Sequence, residues 1–149
     1  MLLVATSCSV TRKLPEGSYL VRKVEVETDR QTPKKERIPA SELKKFVRQT
    51  PNRRFLGLNF YVWVYEQANP AKDNWWNNFK RRIGQEPVLL DMAQPEQSAV
   101  NLKNYMDYRG FFSSEATYRV DTVSRCKQAS IVYRTRQGAP YRIRTLTYD

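Results

Sequence analysis

The spacing of apolar residues switches from three-and-four to two just after Gly110, and that switch constrains the fold more than any other feature of the sequence. In Pro95 to Gly110, residues Ala99, Leu102, Tyr105 and Met106 fall on one face of a helix. Pro95 suits the first helical position, Glu96 complements the positive end of the helix dipole, and Gly110 after Arg109 is free to take the left-handed conformation of a C-terminal cap. Beyond Phe111 and Phe112 the period is two. Ala116, Tyr118 and Val120 share one side of a strand, with Arg119 and Asp121 opposite. Ala129, Ile131 and Tyr133 share one side of the next, with Ser130 and Arg134 between them. The short connection Ser124 to Lys127 makes these runs an antiparallel hairpin. A break at Gln137-Gly138-Ala139-Pro140 precedes a third β run, Tyr141 to Tyr148, for which the remaining sequence holds no partner.

Upstream, Tyr19 to Asp29 alternates well enough for another strand, with Leu20, Val24 and Val26 on one side and Lys23, Glu25 and Glu27 on the other. Pro39 to Gln49 reads as a helix with Leu43, Phe46 and Val47 inward and Glu42, Lys44, Lys45 and Arg48 outward. Pro51 ends it, because the residue before a proline resists the α region. The polar stretch between, Arg30 to Ile38, suggests a mobile loop. From Pro51 to about Glu86 the chain is rich in aromatics. Phe55 to Tyr65 is apolar almost all round, so periodicity does not separate helix from strand there. Further on, Trp76, Phe79 and Ile83 share a helical stripe, Lys80, Arg81 and Arg82 line the other side, and Gly84 supplies the cap.

At 149 residues, 40% of them apolar, the chain suits one domain of ordinary size with tails and one modest core. No apolar run approaches the roughly 20 residues that a spanning helix needs, and a mean hydropathy of −0.70 argues against a chain that lives inside a bilayer. The net charge of +11 points to acidic partners: nucleic acid, anionic lipid heads or an acidic protein face. Histidine is absent, which removes the commonest general base and the commonest metal ligand together. Cys8 and Cys126 stand in different contexts and predict neither a disulfide framework nor a zinc site; Cys126 reads as a small loop residue without chemistry of its own. No phosphate-cradling glycine loop, nucleophile elbow or pair of metal carboxylates is present either, so the expectation is a non-enzymatic protein with no metal and no cofactor.

Met1 to Cys8 runs from apolar to small residues as bacterial lipoprotein signal peptides do, where the cysteine thiol takes the lipid. The alternative is a disordered N-terminus with an incidental cysteine. Ser9 to Ser18, with Pro15 and Gly17, is a polar tether.

Tyr105 to Phe112 followed by Gly138-Ala139-Pro140-Tyr141 resembles the end of a POTRA domain running into the first strand of the next repeat. POTRA domains are the periplasmic modules of the outer-membrane assembly factors of the BamA/TamA superfamily. Cys8-Ser9 with Leu14-Pro15-Glu16-Gly17-Ser18-Tyr19-Leu20, and Thr50-Pro51-Asn52-Arg53-Arg54-Phe55-Leu56-Gly57-Leu58, resemble the lipidated TamA-like proteins of Bacteroidetes-type bacteria. The resemblance covers nearly the whole chain. It implies an α+β, POTRA-like β-α-α-β-β fold with a three-stranded sheet, two core helices and an inserted aromatic helical segment, and it favours helix for Phe55 to Tyr65. Residues 1–18 would be the signal remnant, lipid-bearing Cys8 and tether. Residues 19–137 would be the POTRA domain with its insertion at about 51–86, and 138–149 the first strand of a following, truncated repeat.

By the same resemblance the chain would sit at the periplasmic face of the outer membrane, lipid-anchored and associated with a barrel missing from this sequence. It would bind a TamB-like periplasmic protein and outer-membrane β-barrel clients. A small sheet with an accessible edge can take an extended segment as an additional strand. The candidate edges are Val24, Glu25, Val26 and Glu27, or Arg119, Val120 and Asp121. The inserted helices are expected to pack on the POTRA core itself; otherwise Trp63, Trp75 and Trp76 would form a docking surface for a partner, or the helices would lie at a membrane interface. Arg30 to Arg54 holds nine Lys or Arg against two Glu. That region is either a solvated face or an anionic-surface contact made by Lys34, Lys35, Arg37, Lys44, Lys45, Arg48, Arg53 and Arg54. The competing function is a nucleic-acid-binding module, since a basic chain with 12% aromatics also suits phosphate contacts and base stacking.

Overall fold

A computed structural model describes residues 11, 14–69 and 71–145. Cys8, and with it the expectation of lipid attachment, lies outside the described residues. Among those described, the chain is α+β: strand β1 (Leu20–Thr28), helices α1 (Ala40–Leu43), α2 (Phe60–Glu66), α3 (Trp75–Ile83) and α4 (Ala93–Tyr108), then strands β2 (Glu115–Val123) and β3 (Gln128–Arg136).

The three strands form one mixed sheet in the order β1-β3-β2. β2 and β3 make the expected hairpin, turned by a short 3₁₀ segment, Ser124–Cys126, and by Lys127 in the left-handed region. β1 runs parallel to β3: Leu20 N–H donates to the Lys127 carbonyl at 2.8 Å and Asp29 N–H to the Thr135 carbonyl at 2.9 Å. A parallel pair needs a crossover much longer than a turn, and the helical segment supplies it.

Those two bonds also explain why β1 departs from simple alternation. Between them β1 advances one residue further than β3, so one extra residue is accommodated in β1 and its faces exchange. Leu20 and Val21 are both buried, Arg22 and Lys23 both exposed, and Val24 is buried again. β3 keeps a clean alternation, with Ala129, Ile131, Tyr133 and Thr135 buried as a middle strand requires. β2, by contrast, half-buries only Ala116 and Val120 and exposes the rest.

α4 starts earlier than Pro95 because Asp91 caps it. The Asp91 carboxylate accepts from Ala93 N–H at 3.0 Å and from the Gln94 amide at 3.1 Å, and the bond from Ala93 holds its pKa below the ordinary carboxylate value. Pro95 therefore sits third, still within the first turn where no N–H is needed. Ser98, Ala99, Leu102 and Met106 are buried. The exit is a Schellman motif: Gly110, at φ 88°, donates to Asp107 and Phe111 donates to Met106, which closes the last carbonyls.

The helix expected over Pro39 to Gln49 is cut short. α1 has four residues, followed by a 3₁₀ turn at Lys44–Phe46, and Val47 is extended. The backbone leaves the helix because Arg48 N–H donates to Ser98 Oγ on α4 at 3.0 Å, a partner no local pattern reveals. Leu43 and Val47 are buried as expected, while Phe46 stays at the surface and stacks on Tyr105 with ring centres 3.9 Å apart. The loop before α1 is pinned rather than mobile. Thr32 Oγ1 donates to the Gln137 carbonyl at 2.6 Å, and the Gln137 side chain bonds both backbone groups of Ile38.

Two compact units can be distinguished. The first comprises the described residues up to Lys23, Thr50–Leu90 and Val120–Ser130; its buried apolar residues include Leu20, Val21, Val62 and Ala129. Within it, Asn52 joins the two ends of the inserted segment, donating to the Glu86 carbonyl and accepting from Val88 N–H, each at 2.8 Å. The second comprises Val24–Gln49, Asp91–Arg119 and the described residues from Ile131 onward, with Val24, Ile38, Leu43, Leu102, Met106, Phe111, Ile131 and Tyr133 buried. Each such side chain contributes roughly 1.5–3 kcal/mol. In this unit Tyr141 N–H donates to Gly110 at 2.9 Å and its ring meets Phe112 edge-on, while 141–145 form no strand, so the third β run is not seen among the described residues.

Candidate functional site

Two surfaces stand out, each with a groove, one groove in each unit. The first is built by α2 and α3. Phe55 to Leu58 is not helical: Phe55 and Leu58 exchange backbone hydrogen bonds at 3.0 and 2.9 Å around Leu56 and Gly57, both at positive φ, and α2 begins only at Phe60. α3 is capped by Asn74, whose side chain accepts from Asn77 N–H at 3.0 Å. The burial of α3 is inverted relative to the bland reading that its apolar stripe packs on a core. The buried residue is Asn77, which accepts from Asn69 N–H and donates to the Lys72 carbonyl, tying down the connecting loop. The stripe faces outward, with Trp75 68% and Trp76 60% exposed. Trp76, Phe79 and Ile83 line a groove of about 370 Å³ with Phe60, Trp63 and Val64 of α2.

Gly84 is the C-cap of α3, as expected from its place after Ile83, though not in the left-handed region. Its backbone is extended at φ −66°, and a Cβ there would stand 2.6 Å from the backbone nitrogen of Tyr65. The absent side chain is what lets α3 end against α2, and Gln85 N–H then bonds the Tyr61 carbonyl at 3.0 Å. The sequence shows the stripe and the glycine but not which side of α3 turns inward, because apolar spacing does not reveal that Asn77 finds its partners in the loop just before the helix.

The second surface is the outer edge of the sheet. β2 ends the strand order and lies beside α4. A groove of about 370 Å³ runs between Glu96, Ala99, Val100 and Lys103 of α4 and Ala116, Thr117 and Tyr118 of β2. The candidate residues Arg119 and Asp121 are exposed on the same strand and Val120 is half-buried. The α4 wall of this groove was not among the residues singled out from sequence, although Val100 lies off the buried face of the helix and could have been noticed.

The opposite edge is partly occupied. Leu20 bridges Leu89, Val21 N–H donates to Val88 and Leu90 N–H to Tyr19, so residues after the insertion pair with the start of β1. Further along β1, Val24 is buried, Glu25 and Val26 are half-buried, and Glu27 pairs with Arg134 at 3.2 Å.

The basic candidates divide between the two units. Lys34, Lys35, Arg37, Lys44, Lys45 and Arg48 belong to the second unit, Arg53 and Arg54 to the first. Arg37 donates to the Asp29 carbonyl at 3.2 Å. Arg54 donates to the Arg22 carbonyl, where desolvation and then the Arg22 charge lower its pKa. A cluster absent from the sequence reading joins α1 to α4: Tyr105 and Arg109 both donate to Glu42, and Arg109 also donates to Tyr105 at 2.8 Å. The Tyr105 bond, seconded by Arg109, holds the Glu42 carboxyl below its ordinary value.

Cys126 departs from expectation. It is disulfide-bonded, whereas the sequence reading gave it no chemistry. The sequence contains one other cysteine, Cys8.

Comparison of the chain with family models, with curated proteins and with solved structures finds no match.

Proposed function

We propose that this chain is a POTRA-like, non-enzymatic binding module of an outer-membrane assembly or translocation factor, working at the periplasmic face and accepting extended segments at the outer, β2 edge of its sheet. The observation that carries the reading is the β2 edge beside α4: a nine-residue strand with one side laddered to β3 and a groove along its other flank. Backbone bonds to such an edge give affinity with little demand on sequence, and the groove gives side chains of an added strand somewhere to go. The strand order, with helices between parallel β1 and β3, is in keeping with a β-α-α-β-β module carrying an insertion. Proposed partners are a TamB-like periplasmic protein and β-barrel clients, with the exposed aromatic face of α2 and α3 as a second docking surface.

Membrane attachment through Cys8 is part of the proposal. Titrating salt against binding to a TamB-like C-terminal fragment and to single-stranded DNA tests the function. Binding to the fragment that persists at moderate salt supports it. Preferential DNA binding that collapses with salt supports the nucleic-acid alternative instead.

A further inference from the structure

From the α2 and α3 surface alone, we infer that this face seats in the interfacial layer of an anionic lipid bilayer, a reading independent of what β2 binds. At 3.6 residues per turn, Trp75, Phe79, Ile83 and Trp76 lie within an arc of about 100° on α3. Lys80 flanks this arc on one side and Arg82 on the other, while the buried Asn77 stands opposite. Aromatics along the middle and cations along both rims form the pattern of a helix lying in the plane of a membrane surface.

Geometry adds to the pattern. Trp75 packs edge-on against Trp76 at 4.7 Å and stacks on Phe79 at 5.7 Å, so the rings form a preassembled ridge beside the groove shared with Trp63. An apolar ridge of this kind left facing water marks an interaction surface. The charge decides what covers it. Residues 50–90 hold six Lys or Arg against three acids, and no acidic residue occurs within α3. Lys80, on the groove rim, holds the Gln67 carbonyl only at 3.4 Å and is free to exchange it for a lipid phosphate. No described helix is long and apolar enough to cross a bilayer, so the contact is in-plane. Tryptophan suits the headgroup level, and lysine and arginine reach from an apolar bed to anionic heads.

The test uses the full chain with vesicles of phosphatidylcholine, with and without phosphatidylglycerol. The expected result is co-sedimentation with the phosphatidylglycerol vesicles and a shift of tryptophan emission to shorter wavelength. Trp75→Ala with Trp76→Ala should weaken binding about tenfold at unchanged melting temperature, because the lost contact is apolar area at the surface. Lys80→Gln and Arg82→Gln should each cost about fivefold. Binding indifferent to the tryptophans would reduce the effect to net charge and overturn the inference. So would absence of any emission shift, or a dimer in solution that the tryptophan substitutions abolish, which would mean that a second copy covers the face.

Discussion

Gln137 holds Ile38 by both of its backbone groups: Ile38 N–H donates to Gln137 Oε1 at 2.7 Å and Gln137 Nε2 donates to the Ile38 carbonyl at 2.9 Å. Both residues are 2% exposed, so neither backbone group has water as a substitute. A side-chain amide here does what a strand neighbour would do, and it fixes the loop that leads into α1. Gln137→Ala should destabilise the protein by about 2–4 kcal/mol, the cost of leaving two buried polar groups unpaired. Urea unfolding measures it; a loss under about 1 kcal/mol would show that the loop finds other partners.

Gly84 meets the backbone of Tyr65 too closely for a side chain. Gly84→Ala should cost about 1–3 kcal/mol as the ends of α2 and α3 are pushed apart. Because Trp63 and Trp76 line the groove between those helices, their fluorescence should change in the same variant. Unchanged stability and emission would mean the approach relaxes without effect.

Glu42 is held ionised by Tyr105 and Arg109. A carboxylate whose folded pKa lies below its unfolded value contributes stability that is present above the unfolded value and lost as pH falls through the folded one. The melting temperature should therefore fall on acidification, beginning at the ordinary carboxylate range. Glu42→Gln should flatten that limb, so the two curves converge at low pH. Asp91, also lowered, supplies part of the slope that remains. Parallel curves for the two proteins would remove Glu42 from the account.

Much of the second half of the chain was legible because its two periods are undiluted. The face of α4, the left-handed Gly110 and the alternation of β3 follow from positions a few residues apart. Features set by distant partners were not legible. α1 is shortened by Ser98, the loop before it is fixed by Gln137, and β1 slips register through an extra residue that only its pairing with β3 exposes. For the aromatic insertion the stripe was plain but its direction was not. An apolar arc suits a core and a surface equally, and what turns it outward is Asn77 satisfied by Asn69 and Lys72.

Membrane anchoring rests on a lipid thioether at Cys8, while Cys126 holds a disulfide. Mass spectrometry of the intact, non-reduced protein from its native membrane separates them. A lipid mass on the peptide bearing Cys8 supports anchoring and leaves Cys126 to another partner. A Cys8–Cys126 crosslinked peptide that disappears on reduction rules lipid attachment out.

The central claim concerns the outer edge of β2. Amide hydrogen exchange of the chain, with and without a synthetic peptide matching one strand of an outer-membrane barrel, reports on it directly. The account predicts that amides of Glu115 to Val123 exchange more slowly with the peptide bound, and that the β1 segment paired with Leu89 does not change. Peptide binding with β2 exchange unaltered would contradict it.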